Sequence, residues 1–257
     1  MNFKIVSFNL RFAWTEDGVN SFPQRAGNIL LKITKEQPDV ICFQEATDLN
    51  IGFLRNFLPQ YDIVFNQRDS EYAGEGLATA VKRKDFIVTK LDSFWLSDTP
   101  NIAGSRYEIQ SPCPRICQCV TIKRLADGKL IRIYNNHLDH ESDNARILGI
   151  KQVLTRVEQD SNILQTPLFV LGDFNARPDS DTIKFCNNYK NPQLRDLTSN
   201  IKTTFHDFGR YQSDCKIDYI YTDNKTAQNT YTLDVWDDEH NGIYLSDHYI
   251  LALTIEI

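Results

Sequence analysis

The sequence predicts a mixed α/β fold in a single domain spanning residues 1–257. Two observations carry this prediction: β-rich runs alternate along the chain with amphipathic helical segments, and some neighbouring β-rich runs are joined by hairpin signals. The length suits one large α/β domain, and 41% hydrophobic residues suffice for a full core. No repeat, low-complexity run or linker interrupts the pattern.

The β-rich runs begin almost at the first residue. A hairpin signal, Asp127-Gly128, lies between two alternating runs in "RICQCVTIKRLADGKLIRIYNNHLDH". A second strand pair is expected in "GLATAVKR" and "FIVTKLDSFWLS". The remaining predicted strands are "FKIVSFNL", "DVICFQE", "LFVLGDFN", "KIDYIYT" and "HYILALTIEI".

Helical periodicity appears in the segments between these runs. Apolar residues at helical spacing predict helices over 24–37, 49–58 and 142–159, and prolines directly follow the first two. A shorter helix is expected after Ser180, because serine or aspartate caps a helix N-terminus.

Charge and hydropathy restrict the class of protein. The formal net charge is −6, which argues mildly against avid non-specific binding of DNA. No run approaches the ~20 apolar residues of a membrane helix, and the first ten residues do not resemble a signal peptide. We therefore expect a soluble, cytoplasmic protein, with a monomer as the simplest state.

Six cysteines include the cluster "CPRICQC", which raises the question of a metal site. Cys117 and Cys119 alternate along a predicted strand, so both are expected to face one side of it. No CxxC pair exists, and no histidine lies nearby at zinc-finger spacing. Reduced thiols are the favoured interpretation.

Polar residues follow or precede several apolar runs. Any one of them alone is most often a turn former. As a set they offer hard oxygen ligands in Glu45 and Asp247, which suit Mg²⁺ or Mn²⁺, and histidines beside carboxylates, which suit acid–base chemistry. Arg115 has the geometry to bind phosphate oxygens in pairs. Together these residues indicate metal-assisted hydrolysis at phosphorus. The strand-end residues are Asn9, Glu45, Asn136, His137, Asp139, His140, Asp173, Asn175, Asp218, Asp247 and His248.

Six short motifs, in order, resemble the endonuclease/exonuclease/phosphatase superfamily. The resemblance spans Ser7 to His248, nearly the whole chain, and implies the α/β (α+β) class: a four-layer sandwich of two mixed β-sheets packed face to face, with helices outside. It also implies a divalent metal cofactor, Mg²⁺ or Mn²⁺. The motifs are "SFNLR", "PDVICFQE", "NNHLDH", "LGDFNARPDS", "KIDYIY" and "SDHY".

The resemblance implies roles for eight residues. Asn9, Glu45 and Asp247 would belong to the metal region, with Glu45 as the main ligand. Asp173 would orient or deprotonate the attacking water, and Asn175 would hold the phosphate or the nucleophile. His137 and His248 would contact phosphate, with Asp218 polarising His248. Which carboxylate is the base stays open, and Arg115 is the expected substrate contact.

Some positions depart from relatives or allow two interpretations. Apurinic endonucleases carry an acid where this chain has Arg11, which makes abasic-site repair less expected. Phe94 and Trp95 are either core residues or a substrate wall, with core packing favoured. Arg146 is either a phosphate contact or a solvated surface residue, and Arg177 is expected mainly to shape its loop.

Three functions remain at this stage. The first is a metal-dependent phosphodiesterase or nuclease, with nucleic acid among its candidate substrates. The alternative is a phosphomonoesterase for a small phosphorylated metabolite or a lipid headgroup, which the acidic charge favours over a DNA nuclease. The third, a catalytically dead binding scaffold, is disfavoured because all eight residues of the expected site are present.

Overall fold

The computed structural model describes residues 1–257, with fourteen strands and four α-helices. The first seven strands are β1 (Asn2–Asn9), β2 (Val40–Thr47), β3 (Tyr61–Gln67), β4 (Glu75–Lys82), β5 (Phe86–Trp95), β6 (Ile116–Arg124) and β7 (Leu130–His137). The others are β8 (Leu168–Asp173), β9 (Leu194–Asp196), β10 (Asp218–Asp223), β11 (Tyr231–Trp236), β12 (Glu239–His240), β13 (Ile243–Tyr244) and β14 (Ile250–Glu256). The helices are α1 (Phe22–Glu36), α2 (Asp48–Phe57), α3 (Asp143–Ile163) and α4 (Asp181–Asn188).

Twelve of the strands form two mixed sheets of six. Sheet A has the order β11-β14-β1-β2-β4-β3, and sheet B has the order β5-β6-β7-β8-β10-β9. Each sheet contains one parallel pair, β1 with β2 and β7 with β8, while its other neighbours are antiparallel. Strands β12 and β13 pair separately.

Side-chain alternation divides the core into layers. Phe3 and Ile5 of β1 pack in a cluster between the two sheets, whereas Val6 and Phe8 pack against α1 and α2 on the outer face of sheet A. Helices α3 and α4 cover the outer face of sheet B in the same way. The predicted four-layer sandwich is confirmed.

Serine caps fix the starts of two helices beside the functional end of the sandwich. Ser142 Oγ accepts a hydrogen bond from Ala145 N at 3.2 Å, and Ser180 Oγ accepts one from Ile183 N at 3.3 Å. The predicted short helix is therefore present and begins at Asp181. None of the four helices combines the length and apolar character needed to cross a bilayer.

The expectation that "GLATAVKR" pairs with "FIVTKLDSFWLS" is wrong. These runs are β4 and β5, and they lie in different sheets. Strand β4 is flanked by β2 and by β3, a strand that the sequence analysis did not predict, so it has no free edge for β5. The short connection after Lys82 instead carries the chain from sheet A to sheet B.

The cysteine cluster is structural. Cys117 and Cys119 both point to the outer face of sheet B, where they pack under α3, as their alternation predicts. Their sulfur atoms are 4.0 Å apart, and all six cysteines are free thiols.

Candidate active site

Polar strand ends meet at one end of the sandwich. Strands β1, β2, β7 and β8 run toward this end, whereas β10 and β14 begin there. In sheet B, Asp173 is in register with His137 on one side and Asp218 on the other, so the three side chains share a face. The residues gathered at this end are Asn9, Glu45, His137, Asp173, Asn175, Asp218, Asp247 and His248.

Both sheets contribute because the same alternation that builds the core continues to the strand ends. Ile5 of β1 faces sheet B, and so does Asn9, four residues further along. Leu171 of β8 faces sheet A, and so does Asp173. The two polar residues therefore meet across the sandwich, where Asn9 Nδ2 donates to Asp173 Oδ2 at 3.1 Å.

A glycine before Asp173 and a turn after it fix the position of its carboxylate. Gly172 has a φ of +133°, and a Cβ there would lie 1.9 Å from the carbonyl oxygen of Asn136 on β7, so only glycine fits. After the strand, Asn175 N donates to Asp173 Oδ1 at 2.8 Å, and Asn175 Nδ2 donates to Leu138 O at 3.1 Å. This arrangement explains the sequence "GDFN".

Glu45 reaches the site through a β-bulge. The register between β2 and β4 shifts between Phe43 and Ala46, and Glu45 has a φ of +53°. Regular alternation would point Glu45 toward the helices, and the bulge turns it to the inner side instead. There its Oε2 accepts from Phe12 N at 2.6 Å, and its Oε1 accepts from Asn9 Nδ2 at 3.0 Å.

Asp218 and His248 form the pair that the sequence motifs suggest. His248 Nδ1 lies 2.8 Å from Asp218 Oδ2, and both side chains are buried. Burial alone would lower the pKa of His248, but the charge and the hydrogen bond of Asp218, followed by the charge of Asp173, raise it well above its usual value. This environment favours the protonated form of His248.

His137 lies on the other side of Asp173, and its pKa is shifted in the opposite direction from that of His248. Its Nε2 is 3.5 Å from Asp173 Oδ2. Burial, followed by the positive charges of Arg115 and Arg68, lowers the pKa of His137 well below its usual value. The pKa values of the two histidines beside Asp173 are thus shifted in opposite directions.

The donor atoms present fit a divalent cation. Glu45, His137 and Asp173 each offer one ligand atom, and these atoms lie within 4.8 Å of one another. Burial, followed by the negative charge of Asp218, raises the pKa of Asp173 to about 7. Burial and a neighbouring negative charge destabilise the ionised form of this carboxylate, and a nearby cation would stabilise it. A site rich in carboxylates suits hard divalent ions.

Asn9 and Asp247, the other two expected metal ligands, have side-chain oxygens that pair with other groups of the protein. Asn9 Oδ1 accepts from Arg11 N at 2.9 Å, so its amide N–H faces the two carboxylates. Asp247 accepts from Ser246 Oγ at 3.1 Å and lies 3.4 Å from Arg11 Nη1. The structure thus does not include Asp247 in the compact ligand group, although it lies at the same end of the sandwich.

Arg115 directly precedes β6 and is almost fully buried beside His137. Its Nη2 lies 3.0 Å from His140 Nδ1, and its Nη1 lies 3.6 Å from Glu75 Oε1. Glu75 also contacts Arg68, which the sequence analysis did not single out. Arg68 was missed because the sequence analysis did not predict β3. Once "YDIVFNQ" is recognised as a strand, Arg68 is a polar residue at a strand end, like the others.

The structure resolves the positions that allowed two interpretations. Phe94 and Trp95 are buried, and Trp95 Nε1 donates to Arg68 O at 2.5 Å, so they belong to the core rather than to a substrate wall. Arg146 is neither solvated nor free, because its Nη1 donates to Asp139 O at 2.8 Å. Arg177 anchors its loop by donating to Tyr211 Oη at 3.0 Å.

Solved structures share this fold over their full length. An endonuclease/exonuclease/phosphatase protein from Bacteroides vulgatus is 26% identical, with a TM-score of 0.90 over 100% of this chain and 99% of that one. A mannosyl-6-phosphatase from Bacteroides thetaiotaomicron is 21% identical, with a TM-score of 0.84 over 99% and 100%. The catalytic domain of human Nocturnin is 19% identical, with a TM-score of 0.76 over 99% and 93%.

Sequence comparison gives the family directly. None of the curated proteins matches the chain at a significant level. Residues 6–248 match the sequence profile of the Endonuclease/Exonuclease/phosphatase family, a span that includes all eight residues gathered at the functional end of the sandwich. The chain therefore belongs to the Endonuclease/Exonuclease/phosphatase family, whose members are phosphoric ester hydrolases.

Proposed function

We propose that this protein is a phosphodiesterase that depends on Mg²⁺ or Mn²⁺ and attacks phosphorus with water. The observation that carries the proposal is the position of Asp173. Its Oδ2 accepts from Asn9 at 3.1 Å and lies 3.5 Å from His137 Nε2 and 3.8 Å from His248 Nε2. Such a carboxylate can orient a water molecule while a cationic His248 contacts the phosphate.

Each residue has a distinct part in this proposal. Glu45 would hold the cation, with Asn9 and Asp247 beside it, and the cation would neutralise the phosphate oxygens and polarise phosphorus. Asp173 would accept a proton from the attacking water, because its oxygen lies between the two histidines that would contact the phosphate.

The remaining groups would hold the substrate. The imidazolium of His248 would donate to a phosphate oxygen, and Asp218 would keep that ring charged and oriented. His137 and Asn175 would make further phosphate contacts, and Arg115 would bind an anionic part of the substrate.

A second candidate is a phosphomonoesterase for a small phosphorylated molecule. The net charge of −6 favours a small anionic substrate over a polyanion, because a nucleic-acid binder usually presents a basic surface. The shared fold with a mannosyl-6-phosphatase from Bacteroides thetaiotaomicron is compatible with this candidate. The two candidates use the same catalytic residues and differ in the groups attached to phosphorus.

Parallel hydrolysis assays separate the two. Bis-p-nitrophenyl phosphate and p-nitrophenyl phosphate are incubated with wild type and Glu45→Ala in Mg²⁺, in Mn²⁺ and in EDTA. Diester cleavage that requires metal and Glu45 supports the phosphodiesterase. Metal-dependent cleavage of the monoester alone supports the phosphomonoesterase, and cleavage that persists in EDTA contradicts both.

A further inference from the structure

Two arginines beyond His137, the buried Arg115 and the partly buried Arg68, share one carboxylate. Arg68 directly follows β3, Arg115 directly precedes β6, and Glu75 is the first residue of β4. Arg115 Nη1 lies 3.6 Å from Glu75 Oε1, and Arg68 Nη1 contacts the same oxygen. Two positive charges against one negative charge leave this cluster with a formal charge of +1.

The arginines also retain hydrogen-bond donors without protein acceptors. Arg115 is only 4% exposed, yet its Nε and Nη1 have no hydrogen-bond acceptor, and neither does Nε of Arg68. Burial, followed by the charge of Arg115, lowers the pKa of Arg68 to about 10, and burial lowers the pKa of Arg115. Buried donors and charges with this little compensation are costly in a folded protein.

A second arginine on β6 shows how a purely structural guanidinium is satisfied in this fold. Arg124 ends the strand that Arg115 precedes, and it is also 4% exposed. Its Nε and Nη2 donate to Asp127 at 2.9 and 2.6 Å, and its Nη1 donates to Ile257 O at 2.8 Å. Two further buried arginines, Arg25 and Arg146, each leave one donor without an acceptor, whereas Arg115 leaves two.

The arginine cluster lies beside His137, at the edge of the active site. Arg68, Arg115 and His137 line one narrow cleft together with the apolar side chains of Leu77 and Ile116. On its other side, the His137 ring lies 3.5 Å from Asp173. The cleft itself measures only about 10 Å³, so an anion that binds both guanidinium groups takes the place of the Glu75 carboxylate, with the His137 ring between it and Asp173. Guanidinium groups bind the oxygens of phosphate or carboxylate in pairs.

We propose that Arg68 and Arg115 form a subsite for a second anionic group of the substrate, a phosphate or a carboxylate that is not hydrolysed. Placing this group on the substrate rests on the proposed function, whereas the existence of the anion site does not. The enzyme would accordingly prefer phosphate esters that carry a further negative group close to the reacting phosphate.

Binding of inorganic phosphate in EDTA tests the anion site without catalysis. Calorimetric titration at low ionic strength should show phosphate binding to wild type and a loss of about ten- to hundredfold in affinity for Arg68→Met and Arg115→Met. Arg124→Met, which removes a buried arginine from the far end of β6, is the matched control and should bind like wild type. Absence of phosphate binding by wild type overturns the anion site.

Glu75→Gln is a variant whose expected effect, tighter binding of phosphate, cannot result from misfolding. Removing the internal carboxylate charge raises the positive charge of the cluster, so phosphate affinity should rise about three- to tenfold. A damaged fold cannot produce this gain. Unchanged or weaker binding by Glu75→Gln, or wild-type binding by a folded Arg68→Met, overturns the proposal.

A second measurement, with metal, tests the assignment to the substrate. Release of p-nitrophenol is compared for the 5′-(p-nitrophenyl phosphate) diester of thymidine with and without a 3′-phosphate, and release of phosphate is compared for fructose 1,6-bisphosphate against fructose 6-phosphate. Wild type should have a KM at least tenfold lower for the doubly anionic member of one pair, and Arg68→Met should abolish that ratio while Arg124→Met keeps it. Equal KM values within both pairs overturn the substrate assignment. If phosphate binds in EDTA but no ester is hydrolysed, the proposed function fails and the anion site stands.

Discussion

One oxygen of Asp173 lies between two histidines, 3.5 Å from His137 Nε2 and 3.8 Å from His248 Nε2. Only His248 has a carboxylate partner on its other nitrogen, Asp218 at 2.8 Å. The pKa values of the two rings are therefore shifted in opposite directions although the rings flank the same oxygen, because Asp218 raises the pKa of His248 while the nearby arginines help to lower that of His137. This asymmetry supports our proposal that His248 is the cationic phosphate contact.

Asp218 should act mainly through His248, although its charge also raises the pKa of Asp173. His248→Ala should lower kcat/KM about 10²- to 10⁴-fold, and Asp218→Asn about 10- to 100-fold, because the neutral amide no longer keeps the imidazole charged. Since one residue works through the other, the double variant should be no worse than His248→Ala. Steady-state kinetics of all four proteins gives the coupling, and additive losses would show that Asp218 has an independent role.

Glu45 should dominate metal affinity. Glu45→Gln keeps the acceptor for Phe12 N but removes the charge, so the affinity for Mn²⁺ measured by calorimetry should fall at least about tenfold. Glu71→Gln is the control, because Glu71 is exposed on the loop between β3 and β4. Equal affinity in wild type and Glu45→Gln would remove Glu45 from the metal site.

Asn135 should be a major determinant of stability. This fully buried amide donates to Phe43 O and Ala78 O at 3.1 Å each and accepts from Gln44 at 2.8 Å, so it joins the two sheets. Asn135→Ala leaves these groups unpaired and should lower the free energy of unfolding by about 2–4 kcal/mol in urea. Asn162→Ala, at the exposed end of α3, should change it by less than about 0.5 kcal/mol.

His206 should destabilise the protein in mild acid. It stacks on Tyr249 at 4.0 Å and its Nδ1 accepts from Gly209 N, while burial, followed by the charge of His248, lowers its pKa from 6.5 to about 4. The folded state therefore resists a proton that the unfolded state binds. Stability is intact above pH 6.5 and is lost as the pH falls toward 4.

Substitution of His206 isolates this effect. His206→Asn keeps an acceptor near Gly209 but does not titrate, so its free energy of unfolding should fall less than that of wild type between pH 7 and pH 5. The full effect of His206 down to pH 4 is on the order of 1–3 kcal/mol. Parallel pH dependences of the two proteins would assign the acid sensitivity to other groups.

The sequence predicted the parts of the site that follow regular alternation. Asn9, His137 and Asp173 end apolar runs whose inward-facing positions keep the same parity to the last residue. In such strands, the alternation that identifies the core-facing residues also predicts the direction of the functional side chain at the strand end. Glu45 was also singled out as the polar end of an apolar run, but its inward direction could not be predicted, because the bulge that turns it inward has no signal in the alternation.

Long-range pairing could not be predicted in the same way. The expected β4–β5 hairpin failed because β3 already occupies the edge of β4, and a sequence pattern does not show which edge is free. Arg68 was missed for the same reason, since it becomes a strand end only once β3 is recognised. The arginine cluster joins the ends of strands from both sheets, which only the packed structure brings together.

The most direct measurement is the hydrolysis of bis-p-nitrophenyl phosphate by Asp173→Asn at saturating Mn²⁺. The variant removes the charge of the carboxylate between the two histidines, and Asp179→Asn, exposed in the loop that follows, is its control. We expect kcat/KM to fall at least about 100-fold for Asp173→Asn and to stay unchanged for Asp179→Asn. Wild-type turnover by a folded Asp173→Asn would contradict water activation by Asp173.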